Sequence, residues 1–239
     1  MAAWEELPKL TLAVIPARDE AGSIGAVAGG LLRRGIRQVR VVDNGSTDET
    51  AAQAKSAGAE VFFEPVAGYG RACWRGLQDP PTWAAWVLFC DGDGSDDLSR
   101  LPAFFAAALE ADFVLGARVP PAGARTPLTP AQRFGNALST ALIRIGWGFD
   151  YRDLGPFRLI RRSALEEMQM RDRSWGWTLE MQVRAVENGL RIVELPVPAL
   201  ARRAGKSKIS SSIKGSVRAG AVILWTLGRL YLRRNRRAG

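Results

Sequence analysis

Residues 86–97 read WVLFCDGDGSDD. Four apolar residues, Trp86 to Phe89, run into a turn that carries Asp91, Asp93, Asp96 and Asp97. A short, continuous apolar run suits a strand buried on both faces. Like charges this close repel, and more strongly inside a protein than in water. A positive partner is therefore expected at the carboxyl end of this strand. Gly92 allows close backbone approach, and Gly94 permits a left-handed turn. Asp91 and Asp93, two positions apart in an extended segment, would point the same way. Two carboxylates so placed suit Mg²⁺ or Mn²⁺, which keep positions open for substrate phosphates. The competing reading is an acidic turn with solvated side chains and a helix cap. That is the expectation for Asp96 and Asp97 individually, because they precede a helix.

Outward from this turn, strands and helices alternate. Leu10–Ile15 (LTLAVI) is a buried strand stopped by Pro16, Val39–Val42 a second, Ala59–Phe63 a third and Asp112–Leu115 a fifth. Helices are predicted over Ser23–Arg34, from a cap at Ser46 or Thr47 to Ser56, over Arg71–Leu77 and over Leu101–Glu110. This alternation predicts an α/β domain with a mainly parallel central sheet, whose ligands bind beyond the carboxyl ends of the strands. That rim carries Pro16-Ala17-Arg18-Asp19-Glu20, Asp43-Asn44 and Asp91-Gly92-Asp93. Farther along, Val119–Pro130 is rich in Pro and Gly and predicts a mobile loop. A helix over Gln132–Gly146 would place Phe134, Leu138, Leu142 and Ile145 on one apolar face. Phe157–Arg161 and Leu190–Leu195 read as further strands, with a helix from Thr178 to Asn188 between them.

Charge is distributed unevenly. From Arg202 onward there are 11 of the 33 Lys and Arg and no acid, leaving 22 bases against all 24 acids in the remainder. A slightly acidic body with a cationic terminal element does not look like a uniformly basic nucleic-acid binder. Two cysteines, Cys73 and Cys90, are too few for a disulfide framework or zinc site and point to a reducing compartment. The N-terminal stretch lacks signal-peptide character, and no apolar run reaches the roughly 18–20 residues needed to span a bilayer. With no histidine in the chain, carboxylates are the available bases near neutral pH.

The ordered motifs PARDEAGSI, VVDNGSTDET, GYGRACWRGL and DGDGSDD, followed by DLGPFRLIRR and RRAGKSKIS, resemble family 2 glycosyltransferases. Within these they resemble the group that includes dolichyl- and polyprenyl-phosphate sugar synthases, over residues 10–215. The resemblance implies the GT-A fold, a Rossmann-like nucleotide-sugar-binding domain. It would span residues 1–205, followed by a basic amphipathic helical extension over 206–239. It also implies that Pro16, Ala17, Arg18, Glu20 and Asp43 line the nucleoside pocket, with Glu20 on the ribose and Asp43 on the base edge. Gly68 to Arg71, including Gly70, would lie near base and ribose. Asp91, Gly92 and Asp93 would form the diphosphate end, the two aspartates holding Mg²⁺ or Mn²⁺. Arg118, placed after the fifth strand, would neutralise diphosphate or an anionic acceptor together with Arg202 and Lys208. PARDE stands where many relatives have PxYNE, and DGDGS where DADGQ or DADLQ is usual. Ser95 would then leave coordination to the two aspartates and water.

Glu180 is the expected base if the acceptor is a hydroxyl, with Asp153 a second carboxylate to weigh; the alternative for Glu180 is an exposed pair with Arg184 at i,i+4. Trp175 and Trp177 suit either an acceptor wall or core packing. The implied reaction is inverting transfer from a UDP- or GDP-sugar. The expected acceptor is a polyprenyl phosphate or other lipid-linked group, already ionised and needing no base. Residues 213–232 are helical in pattern and would lie on an anionic membrane surface, each Lys or Arg contributing roughly 1 kcal/mol. The rival is a helix packed on the catalytic domain with a frayed basic end. The enzyme would be cytoplasmic and peripheral on the inner face of the membrane. A sugar-nucleotide pyrophosphorylase lacks support because its glycine- and lysine-bearing phosphate loop is not found. A nucleic-acid-binding module has only the tail in its favour, without interleaved aromatics.

Overall fold

The apolar run ahead of the acidic turn forms strand β4 (Trp86–Phe89), with all four residues buried. The computed structural model describes residues 3–119, 128–203 and 213–235, without the side chains of 213–221 and 235. In it β4 lies between β1 (Thr11–Ala17), which is parallel, and β6 (Arg158–Arg161), which is antiparallel. Beyond β1 come β2 (Gln38–Asp43) and β3 (Glu60–Phe63), both parallel. Beyond β6 come β5 (Phe113–Val119) and β7 (Ile192–Pro198), giving the order β3-β2-β1-β4-β6-β5-β7. The sheet is mainly parallel, as expected, with β6 reversed against both neighbours.

Alternation along β1 sends side chains into two cores. Leu12 and Val14 join Phe89 and Trp177 on one face, under α3 (Tyr69–Gly76), α5 (Pro130–Trp147) and α7 (Trp177–Glu187). Ala13, Ile15 and Ala17 join Leu88 and Phe104 on the other, under α1 (Ile24–Arg33), α2 (Thr50–Ser56) and α4 (Leu101–Ala108). Burying each large apolar side chain contributes roughly 1.5–3 kcal/mol, which is why strands covered on both faces read as unbroken apolar runs.

Several boundaries differ from expectation. Pro16 does not stop β1; it pairs opposite Val42 near the strand's end, where a missing N–H removes only one ladder bond. β5 extends four residues beyond Leu115, so Arg118 lies within the strand rather than after it. A 3-10 turn over Ala3–Leu10 and helix α6 (Arg162–Glu167) were not foreseen. The α5 pattern has the right period, but its stripe is rotated: Ile143 and Ser139 are buried while Phe134 and Ile145 are exposed. The reason is α8 (Ile213–Asn235), which packs on α5 and α7 and buries Thr226, Leu227 and Leu230. Residues 120–127 of the Pro/Gly-rich stretch lie outside the described residues. Among the described residues no helix is long and apolar enough to cross a membrane.

Candidate active site

The carboxyl ends of β1 and β2 are locked to each other by their loops. The Asp19 N–H donates to Ser46 Oγ (2.9 Å), and Thr47 donates from N and Oγ to Asp19 Oδ1 (2.7 and 3.2 Å). The Ala21 N–H donates to Asp48 Oδ2 (3.1 Å) and the Glu20 N–H to buried Thr50 Oγ1 (2.7 Å). Ser46 and Thr47, expected as caps of the following helix, instead hold the first loop; Glu49 is the residue ahead of α2. Asp43 is buried at the end of β2, with Oδ1 accepting from the Ser46 N–H (2.9 Å). Asn44 extends the lock to β3, donating to the carbonyls of Glu64 and Val66 and accepting from the Gly68 N–H, each at 2.8 Å.

The acidic turn sits beside these loops. Gly94 adopts φ +76°, the left-handed conformation that turns the chain. Asp93 is buried, its Oδ1 accepting from the Ser95 N–H (2.8 Å). Arg202 bridges the two loop systems, donating from Nη1 to Glu20 Oε1 (3.3 Å) and setting Nη2 3.0 Å from Asp93 Oδ2. The Arg203 N–H donates to the Asp93 carbonyl (3.0 Å). Asp97 caps the 3-10 turn Leu98–Arg100 as expected. Asp96 corrects the expectation of a solvated cap: it turns inward, and its Oδ2 accepts from the Asp91 N–H (2.8 Å). Burial pushes the Asp96 carboxyl up to about 7. Burial, with Asp96 and Asp93 alongside, raises the Asp91 carboxyl well above the carboxylate range, against the pull of Arg118 and Arg202.

These residues fit a hard divalent cation. Asp96 and Asp93 add like-charge crowding to the burial that raises the Asp91 carboxyl, a cation relieves that crowding, and no described side chain hydrogen-bonds the Asp91 carboxylate. Among the described residues no three His, Cys, Asp or Glu are grouped to hold an ion by themselves. Further ligands would therefore come from a diphosphate and water.

Arg118 forms a two-pronged pair with Asp153, Nε to Oδ2 at 2.7 Å and Nη2 to Oδ1 at 3.0 Å; its own N–H also reaches Oδ2 (2.9 Å). Asp153 is 3% exposed and both its oxygens are engaged, so it orients Arg118 instead of standing open as a base. Glu180 is fully buried, and its Oε2 accepts from the Arg171 N–H (2.9 Å) and the Asp172 N–H (2.5 Å). The i,i+4 contact with Arg184 is present at 3.8 Å, but it is buried rather than exposed. The strap 171–174 that Glu180 holds accepts the Gly70 N–H on the Ser174 carbonyl (3.0 Å) and the Arg71 N–H on that of Arg173 (3.1 Å). A Cβ on Gly70 would come within 2.8 Å of the Arg173 carbonyl carbon, so only glycine fits there.

Pro16 and Ala17 end β1, with Arg18 exposed beside them, and Gly92 packs beneath Ile24. Trp177 is core, edge-on to Trp74 and Phe89, and Trp175 is partly exposed. Lys208 lies outside the described residues. Thr50, Asp172 and Arg229 were missed, because the contacts that give them a role here, Thr50 with Glu20 and Asp172 with Trp74 and Arg229, join residues distant in sequence.

A family model for glycosyl transferase family 2 matches residues 13–169. The chain belongs to that family. A glycosyltransferase of Mycobacterium bovis, itself uncharacterized, is 39% identical over 205 residues, covering 85% of this chain and 91% of the relative. An undecaprenyl-phosphate mannosyltransferase of Micrococcus luteus is 28% identical over 217 residues, covering 85% and 89%. Among solved structures, the glucosyl-3-phosphoglycerate synthase of Mycobacterium tuberculosis, in complex with Mn²⁺, UDP and glucosyl-3-phosphoglycerate, superposes with TM-score 0.73. It is 20% identical and covers 94% of this chain and 82% of that one. This family 2 glycosyltransferase has the GT-A architecture expected from its motifs. In it the acidic turn, the first two loops and Arg202 meet at one rim of the sheet.

Proposed function

We propose that this glycosyltransferase moves a sugar, with inversion and with help from a divalent cation, from a UDP- or GDP-sugar to a phosphate-bearing acceptor, a polyprenyl phosphate at an anionic membrane surface. The observation that carries this reading is Arg202 spanning Glu20 and Asp93, which brings the ribose-side loop and the acidic turn together at one place. The names of the Micrococcus luteus relative and of the Mycobacterium tuberculosis structure support a phosphate-bearing acceptor and a nucleotide with Mn²⁺.

In this reading Asp43 accepts from the base edge, Glu20 binds the ribose, and Gly68 to Arg71 close over the nucleoside. Asp91 and Asp93 would hold the cation, which supplies charge stabilisation at the departing diphosphate. Arg118, oriented by Asp153, adds positive charge where it develops, as do Arg202 and Lys208. Stabilisation that grows along the reaction accelerates it; uniform binding does not. An acceptor phosphate is ionised near pH 7 and attacks without a protein base. This agrees with Glu180 and Asp153 being committed to other groups. The membrane part rests on α8 and α5, which turn Leu224, Trp225, Leu232, Phe134 and Ile145 outward, next to the basic tail.

The test is a transfer assay pairing UDP- and GDP-sugars with polyprenyl phosphate or with 3-phosphoglycerate, with Mn²⁺, Mg²⁺ or EDTA. Product on polyprenyl phosphate that EDTA abolishes is expected. Transfer to 3-phosphoglycerate alone would overturn the lipid acceptor, and full activity in EDTA would overturn the metal.

A further inference from the structure

Two buried acids, Asp172 and Glu180, lie behind the loop that would close over the nucleoside, and the mechanism uses neither directly. Asp172 is the centre of the strap. Its N–H is held by Glu180 (2.5 Å), its carbonyl accepts from Trp74 Nε1 (3.2 Å), and its Oδ1 accepts from the N and Oγ of Ser174 (2.6 and 2.9 Å). Its second oxygen, Oδ2, faces Arg229 of α8, with Nη2 3.7 Å away. Arg229 also lies over the Trp225 ring, 4.6 Å from its centroid, and its buried Nε and Nη2 make no hydrogen bond. Asp172 is therefore the counter-charge that the described residues offer it. A second contact fixes the same junction: a Cβ on Gly176 would lie 2.5 Å from Asp172 Oδ2 and 2.6 Å from Thr226 Oγ1. The C-terminal helix, the start of α7 and the strap thus meet with no room to spare.

We propose that Arg229 is a positioning residue for the donor loop, acting from the C-terminal helix through Asp172 on the backbone of Gly68–Arg71. The path has three links. Arg229 neutralises Asp172; Asp172 and Glu180 shape the strap; the strap's carbonyls at Arg173 and Ser174 hold the Arg71 and Gly70 amides. Gly70 packs so closely on the strap that an added Cβ would meet backbone at 2.8 Å, so a shift of the strap is felt at Gly70. Removing the guanidinium leaves buried Asp172 without the cation that faces it, and the strap must move or take up water. That this loop binds a nucleotide rests on the function proposed above; that α8 holds the loop does not.

Hydrogen–deuterium exchange on the ligand-free full-length chain reads the wiring without any ligand. Arg229→Met should speed exchange of peptides covering residues 68–77 and 171–176 while leaving β1 and β2 protected, and Arg229→Lys should restore much of the protection. Asp172→Asn, which keeps the acceptor for Ser174 but removes the charge, should loosen the same two segments, and it decides the matter if Arg229→Met does not fold. Unchanged exchange at residues 68–77 in the folded variants would overturn the proposal. In the same proteins, UDP or GDP with Mn²⁺ should bind about five- to tenfold more weakly to Arg229→Met than to wild type. A wild-type chain that binds neither nucleotide would overturn the proposed function while the exchange data still decide the role of Arg229.

Discussion

At the residue scale, charge placement separates groups open to a ligand from groups that hold others in place. Asp91 is crowded by Asp96 and Asp93, whereas Asp153 and Glu180 are tied to an arginine and to backbone amides. Glu180→Gln tests that separation. The glutamine carbonyl can still accept from Arg171 and Asp172, so turnover should fall by less than about tenfold. A general base would cost about 10²–10⁴. A steady-state assay on polyprenyl phosphate distinguishes the two, and a loss in the larger range would make Glu180 the base. Arg202→Met tests the other side of the site. Freed of the guanidinium that spans Glu20 and Asp93, the variant should bind Mn²⁺ alone more tightly while transferring sugar at least about tenfold more slowly. Titration of free Mn²⁺ by electron paramagnetic resonance checks the first part; weaker Mn²⁺ binding would mean that Arg202 shapes the site instead of competing for it.

At the element scale, strand ends were harder to foresee than strand existence. β4 and β2 were legible because apolar runs and turn chemistry are local signals. β5 ran past its expected end because β7 pairs with it through Val119, a partner about 80 positions away. The start of that β5–β7 pairing carries an ionic clamp. Hydrogen bonds from Arg191 hold the Asp112 carboxyl at about 2 against the effect of burial, with Arg161 adding to the pull. An unfolded-state aspartate titrates near about 3.9. A depressed folded value contributes stability above about 3.9 that is lost as pH falls through about 2. The pair is largely solvated, so its contribution is small. Asp112→Asn should melt a few degrees below wild type at pH 7. The two curves should converge near pH 2. A gap that stays constant across that range would assign the effect to packing.

At the scale of the whole molecule, the C-terminal helix is both structure and surface. Leu227 and Leu230 are buried against the body, each worth roughly 2 kcal/mol, so deleting the helix would strip α5 and α7 as well as any lipid contact. Substituting the outward residues avoids that confusion. Leu224→Ser, Leu232→Ser and Phe134→Ser together should leave the melting temperature nearly unchanged and reduce flotation with anionic vesicles roughly tenfold. Equal recovery of both forms would remove the membrane surface from the proposed function.

The sequence by itself determined the α/β alternation, the rim on which Glu20, Asp43, Asp91 and Asp93 gather, and the family, because each depends on short apolar runs followed by turn residues. Only the tertiary structure decided that Asp153 serves Arg118, that Glu180 serves a backbone strap, that the α5 stripe faces α8, and that Arg229 faces Asp172 of the strap that holds Gly70 and Arg71. Those contacts join residues from about 8 to about 90 positions apart, and burial, which sets whether a carboxylate is free or bound, is a property of the packed chain and not of any window along it.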